Sequence, residues 1–127
     1  MISILKTDDK TAEKLFLQEG IELTDGYGAY AATDGDEILG FSLFANKKEY
    51  GEVFFLKSFA GPFSDKLSDS VFRAVLNHFD YNGIKDIYFH TDNIISHISK
   101  MKYRAETKEK SIYINTDDFF SKKCENH

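Results

Sequence analysis

The sequence predicts an α+β domain built on a mixed, mostly antiparallel twisted sheet with a central βαβ crossover. Three observations carry this. The hairpin signal Asp34-Gly35 stands between two strand-like runs. The apolar run Val53-Phe54-Phe55-Leu56 reads as a central strand buried on both faces. An amphipathic stretch from Asp65 to Phe79 separates it from a further strand, Ile87-Tyr88-Phe89-His90. Strand, helix and strand in this order make two parallel neighbours joined by a crossover.

The elements follow in order. Ile2 to Lys6 reads as a short first strand. Thr7, Asp8 and Asp9 supply N-cap chemistry for a helix through Ala12, Leu15, Phe16 and Glu19, and Gly20 stops it. Ile21 to Gly28 is loop-like, with Asp25-Gly26 as a turn. Gly28 to Thr33 and Ile38 to Phe44 pair through Asp34-Gly35, which fits a type I′ turn with positive φ at both central positions. Asn46 to Glu49 turns the chain into the longest strand, Tyr50 to Ala60, which ends before Pro62. Ser64 and Asp65 cap the main helix, whose apolar positions are Leu67, Val71, Ala74, Val75 and His78, flanked by Phe72, Leu76 and Phe79. Asn82-Gly83 ends it, with Ile84 as the hydrophobic contact of a C-cap. Asp92 or Asn93 caps a short helix through Ile94, Ile95, Ile98 and Met101. Tyr103–Ala105 and Ser111–Asn115 read as a closing hairpin. Thr116 caps a last turn with Phe119 and Phe120, and a polar, frayed tail covers 121–127. Residues 1–120 form one domain, the length of 127 residues leaving no room for a second.

Composition narrows the function classes. A net charge of −5 argues against nucleic acid as the main partner. The basic residues Lys100, Lys102, Arg104, Lys108 and Lys110 are interleaved with Glu106 and Glu109, as in a solvated strand pair. No apolar run reaches membrane-spanning length, and the N-terminus meets acidic residues too soon for a signal peptide. The single cysteine, Cys124, allows no internal disulfide and fits a reducing, cytoplasmic setting.

The segment Val71-Phe72-Arg73-Ala74-Val75-Leu76, followed by Tyr81-Asn82-Gly83-Ile84-Lys85-Asp86-Ile87-Tyr88-Phe89, resembles the crossover helix and fifth strand of the GNAT acyltransferase superfamily. Ile98-Ser99-Lys100-Met101-Lys102-Tyr103 sits where that family has Tyr-x-Lys-x-Gly-Phe. The element order is that of the family, except that one helix rather than two lies between the first two strands. The resemblance implies an acetyl-CoA or other acyl-CoA cofactor, whose pantetheine arm lies where the two parallel strands splay apart. It places the pyrophosphate at the N-terminus of the crossover helix, where amides and the helix dipole favour an anion. The positions implied are Phe59, Lys66, Leu67 and Ser68. The family's Arg/Gln-x-x-Gly-x-Gly/Ala motif falls on Phe63 to Ser68, which carries no glycine and no arginine. Lys66 is left to meet a phosphate, while Asp65 and Asp69 add negative charge beside it, so acyl-CoA is expected to bind more weakly than in a motif-complete enzyme. The family's general-acid tyrosine aligns with Ile98 and its glycine with Lys102, so neither role carries over.

Two residues are candidate bases. Glu52 lies early on the central strand, where the resemblance implies a carboxylate that deprotonates an amine; the competing reading is a solvated strand-end residue. His90 ends the fifth strand beside the presumed gap, as a base or as a hydrogen-bonded strand-end histidine. His78 and His97 read as helix residues. Cys124 and His127 have half a zinc-site spacing with no second half, so no metal is expected. Tyr27, Tyr30, Phe41, Phe44, Phe54 and Phe55 suit an acceptor cleft or the core. The function implied is acyl-CoA-dependent N-acyl transfer, from a thioester to a small-molecule or peptide amine. The competing class is a catalytically silent binding or regulatory domain of the same fold, favoured by the missing glycines.

Overall fold

The computed structural model describes residues 2–58, 64–90, 92–103, 105–108 and 111–125. The chain runs through β1 (Ile2–Lys6), α1 (Asp9–Gln18), β2 (Tyr27–Asp34), β3 (Glu37–Asn46), β4 (Gly51–Ser58), α2 (Ser64–Tyr81), β5 (Asp86–Phe89), α3 (Asp92–Lys100), β6 (Glu106–Lys108), β7 (Ser111–Asn115) and α4 (Thr116–Glu125). The strands form one seven-stranded sheet in the order β1-β2-β3-β4-β5-β7-β6. Every pairing is antiparallel except β4 with β5, the two strands that α2 connects. The expected crossover is therefore present at the centre of the sheet.

Helices cover the two faces unequally. On one face Ala12, Leu15 and Phe16 of α1 pack over Ala29, Ala31, Phe41 and Leu43 of β2 and β3. On the other, Val71, Phe72, Val75, Leu76 and Phe79 of α2 join Phe44, Val53, Leu56, Ile87, Phe89 and Ile114, with Ile94 and Ile98 of α3. The buried stripe of α2 is thus shifted from the expected one, and Ala74 and His78 are only partly buried. Gly51 has no side chain because Phe79 fills the space; a Cβ there would lie 2.6 Å from its ring.

The apolar run on β4 has a different origin from the one its sequence suggests. Leu43 pairs with Phe55 and Phe44 with Val53, so Phe54 is the extra residue of a β-bulge. The bulge puts Val53 and Leu56 in the α2-side core, and Phe54 and Phe55 against the α1 cluster. The Ser42 hydroxyl donates to the Phe55 carbonyl at 2.8 Å, bonding a backbone group next to the break in the ladder.

Several expected boundaries move. The β2–β3 turn is centred on Gly35 and Asp36, since Asp34 still pairs with Glu37. Gly35 has φ +62°, and among the described non-glycine residues only Lys48 and Lys102 have positive φ, so the type I′ expectation fails. Glycine at the first central position with an ordinary residue at the second suits a type II′ turn. Of the strand expected over Tyr50 to Ala60, β4 covers Gly51–Ser58, and residues 59 and 60 lie outside the described residues. The closing hairpin uses Glu106–Lys108 rather than Tyr103–Ala105. α4 extends through Glu125, five residues into the segment read as a tail. Its N-terminus is capped by Asn115, whose Oδ1 accepts from the Asp118 amide at 3.1 Å, while Thr116 donates instead to the Ile84 carbonyl. No helix among the described residues is long and apolar enough to cross a membrane.

Candidate functional site

The β4–β5 ladder is short. It has three register pairs, Gly51–Ile87, Glu52–Tyr88 and Val53–Phe89. A last contact follows, from the His90 amide to the Val53 carbonyl at 3.4 Å. β4 stays paired to β3 as far as Ser58. The two parallel strands therefore part company at the bulge, and the residues at that point are chemically distinct from the core. Alternation sends Glu52 on β4, Tyr88 on β5 and His90, the residue just after β5, to the face that α1 leaves open. His90 Nε2 lies 3.6 Å from Glu52 Oε2. That distance is an ion-pair contact when the imidazole is protonated, and is too long for a direct hydrogen bond. The side chains are 37% and 21% exposed respectively, so solvent or a small ligand reaches both. The Phe54 ring lies face-on to His90, with centroids 6.1 Å apart and planes 23° apart.

A cleft of about 400 Å³ opens beside Glu52, lined by Glu22, Leu23, Thr24, Lys47, Tyr50, Glu52 and Phe54. One wall is the loop between α1 and β2. Gly26 pins that loop: it has φ +80°, a Cβ there would lie 2.0 Å from the Asn46 carbonyl oxygen, and its own carbonyl accepts from the Asn46 amide at 2.8 Å. Lys47, at the β3–β4 turn, donates through Nζ to Thr24 Oγ1 and ties the two walls together. Tyr50 stands edge-on to Tyr88 with centroids 5.9 Å apart, and Tyr88 contacts Tyr113 at 5.4 Å, whose hydroxyl donates to Asp86. The negative charge of Glu52, followed by burial, raises the Tyr50 phenol above its ordinary range, so Tyr50 stays protonated and able to donate.

Of the residues expected to meet a cofactor, Phe59 lies outside the described residues. Lys66 is exposed on the first turn of α2, Leu67 packs partly against the core, and Ser68 is partly buried. Asp69 is hydrogen-bonded within the fold. Its Oδ1 accepts from the Tyr103 hydroxyl and lies 3.2 Å from His97 Nε2, so its charge is turned toward the segment after α3. Arg73 donates to the Tyr103 oxygen at 3.2 Å and lies over the Phe119 ring. Burial, then the Asp69 hydrogen bond, raises the Tyr103 phenol.

The remaining candidates fall into structural roles. His78 is half-buried between Tyr30 and Phe44. Phe41 and Phe44 are fully buried, and of the six aromatic residues named from sequence only Phe54 lines the cleft. Cys124 falls within α4, and His127 lies outside the described residues. Among the described residues no three His, Cys, Asp or Glu side chains converge on one point. Tyr50 was missed, yet its place two residues before Glu52 puts it on the same face by strand alternation. Glu22, Leu23 and Thr24 left no local signal, because a loop's position against the sheet is set by tertiary contacts.

No protein-family model matches the chain, and no curated protein resembles it in sequence. Solved structures do match in shape. An acetyltransferase of the GNAT family from Staphylococcus aureus Mu50 superposes with a TM-score of 0.64 at 15% identity, over 91% of this chain and 99% of that one. E. coli YhhK, in its solution structure bound to coenzyme A, gives 0.63 at 12% identity over 91% and 98%. The aminoglycoside 6′-N-acetyltransferase from Enterococcus faecium gives 0.61 at 14% over 88% and 93%. Identities this low speak for architecture alone, and by that architecture the chain has the GNAT acetyltransferase fold.

Proposed function

We propose that this protein is an acyl-CoA-dependent N-acyltransferase, moving an acyl group from a thioester to an amine. The observation that carries the reading is the Glu52–His90 pair, 3.6 Å apart, beside the point where β4 and β5 part, with Glu52 also lining the cleft. An amine reaches such a site as an ammonium ion, and it is nucleophilic only after losing a proton. The Glu52 carboxylate attracts the ammonium, and neutral His90 accepts its proton, leaving an imidazolium beside the carboxylate. Glu52 acting alone, or through a water, is the shorter version of the same step.

When bound, an acyl-CoA supplies the thioester whose acyl carbon the amine attacks, with the C–N bond forming and the C–S bond breaking. The first turn of α2 offers helix amides and Lys66 to its phosphates. Asp69, one of the two anions beside this turn, is hydrogen-bonded to Tyr103 and His97. The coenzyme A in the structure of YhhK supports the same cofactor here. Tyr50 and Phe54 line the amine's approach.

A silent domain of the same fold is the second reading, favoured by the absence of glycine from Phe63 to Ser68. One experiment separates the two. The protein is incubated with acetyl-CoA and a panel of small amines, amino acids and peptide N-termini, and thiol release and product mass are followed. Acyl transfer predicts amine-dependent thiol release with an acetylated amine; the silent reading predicts thiol release no faster than without protein.

A further inference from the structure

We propose that β1 is a self-complementary edge, and that two copies of the chain pair their β1 strands antiparallel about a two-fold axis through Ile4. The proposal is independent of the acyl-transfer reading. β1 is an outermost strand of the sheet, and Ile2, Ser3, Leu5 and Lys6 are exposed on it. Two of these are large apolar side chains, Ile2 at 51% and Leu5 at 59%. Sheet edges are normally blunted by charge or by shortness. β6, the opposite edge, has both devices: three residues, with Glu106 and Lys108 at its ends. β1 has five residues, and Ile2 to Leu5 carry no charge.

The hydrogen-bond parity of β1 decides how a second strand docks. The Thr7 amide donates to the Ala29 carbonyl at 2.9 Å, and these two residues continue the β1–β2 register. Bonded and unbonded pairs alternate along an antiparallel ladder. Ser3 and Leu5 therefore bond to β2, while Ile2, Ile4 and Lys6 turn their N–H and C=O groups outward. A copy rotated about Ile4 sets Ile4 opposite Ile4 and Ile2 opposite Lys6, which pairs every one of these outward groups. Centring on Ser3 leaves Lys6 without a β1 partner, and centring on Leu5 leaves Ile2 without one.

Charge selects a second copy as the occupant. The Ile2 end of β1 lies beside an acidic turn, since Ile2 pairs with Asp34, and Asp36 and Glu37 follow. All three acids are exposed. The other end of the strand carries the cation, Lys6. The two-fold axis brings each Lys6 to the Ile2 of the other copy, on the face that Ile2 shares with Asp34. Each copy thus places its cation beside the acidic turn of the other, and the lysine stem covers Ile2. On the opposite face, exposed Leu5 meets Ser3.

The test is sedimentation velocity on the full chain from about 1 μM to about 1 mM, a range that spans weak specific association. Wild type, Ile4→Pro, Lys6→Glu and the double variant Lys6→Glu/Asp34→Lys are compared, with circular dichroism as the check on folding. The Ile4 amide faces away from β2, so proline there removes an outward donor on an edge strand, where proline is tolerated. Wild type is expected to dimerise, more weakly at high salt. Ile4→Pro should be monomeric. Lys6→Glu should weaken the dimer about tenfold, the effect of losing two exposed ion pairs, and Asp34→Lys should restore it in the double variant. Should Ile4→Pro fail to fold, the charge exchange decides alone. A wild-type monomer throughout overturns the proposal and leaves the edge to a strand of a different chain. A dimer untouched by Ile4→Pro or Lys6→Glu overturns it by placing the contact elsewhere, and a Lys6→Glu loss that Asp34→Lys does not recover overturns the register.

Discussion

Glu52 lies on β4 and His90 directly follows β5, the one parallel pair among the described strands, and their side chains meet at 3.6 Å just where those strands cease to pair. Backbone and side chain are linked here. The bulge at Phe54 interrupts the regular ladder where β4 and β5 cease to pair, and the Phe54 ring lies beside His90 at that point.

Acyl-CoA affinity should be modest and electrostatic. The first turn of α2 has one cation, Lys66, and one anion, Asp65, and lacks the glycines that let a backbone approach a pyrophosphate closely. Calorimetry should find acetyl-CoA bound more weakly than by an enzyme with the full glycine motif. Lys66→Ala should weaken it about fivefold more, with a smaller effect at high salt. Tight binding insensitive to Lys66→Ala would show that the phosphates sit elsewhere.

Lys102 occupies a glycine's conformation. It has φ 59°, and the bonds from the Tyr103 amide to the Ile98 carbonyl and from the Lys102 amide to the Ser99 carbonyl, both 3.1 Å, form a C-terminal helix cap of the Schellman kind. The left-handed region costs a residue with a Cβ about 1–2 kcal/mol, partly offset by the greater unfolded-state freedom of glycine. Lys102→Gly should therefore stabilise the protein by about 0.5–1 kcal/mol. Thermal melts should show a rise of a few degrees; a lower Tm would mean that the lysine side chain makes a compensating contact.

His78 gives the fold a pH dependence of defined sign. Burial, and secondarily the charge of Lys6, hold its imidazole below the ordinary value of 6.5. The unfolded chain takes up the proton more readily, so this contribution is complete above about pH 6.5 and is lost as pH falls through the lowered folded value. Urea midpoints at pH 7.5 and 5.5 should differ more for wild type than for His78→Gln. An equal pH response in both proteins would remove His78 as the cause.

The fold was largely legible because its signals are local. Asp8 as N-cap, Gly20 and Gly83 as helix stops, and the strand–helix–strand order around α2 all act within a few residues. Glu52 and His90 were legible as separate candidates through the family resemblance. Their meeting depends on the register between β4 and β5, which no local pattern encodes. The bulge was hidden for a related reason: four consecutive apolar residues look alike whether a strand alternates between two buried faces or slips by one residue. The contacts of Asp69 with Tyr103 and His97 were not legible, because they join residues about thirty positions apart.

The most direct test of the account is the single-turnover rate of acyl transfer in wild type, Glu52→Gln and His90→Gln, measured on an acceptor found in the amine panel and at saturating acetyl-CoA. A base acts on the proton lost during attack, so its removal appears in the chemical step and leaves cofactor affinity almost unchanged. The account predicts that Glu52→Gln slows this step by about a hundredfold or more, with His90→Gln also slowed and acetyl-CoA affinity within about twofold of wild type in both. A Glu52→Gln protein that is folded, binds acetyl-CoA and acetylates the amine at the wild-type rate would contradict it.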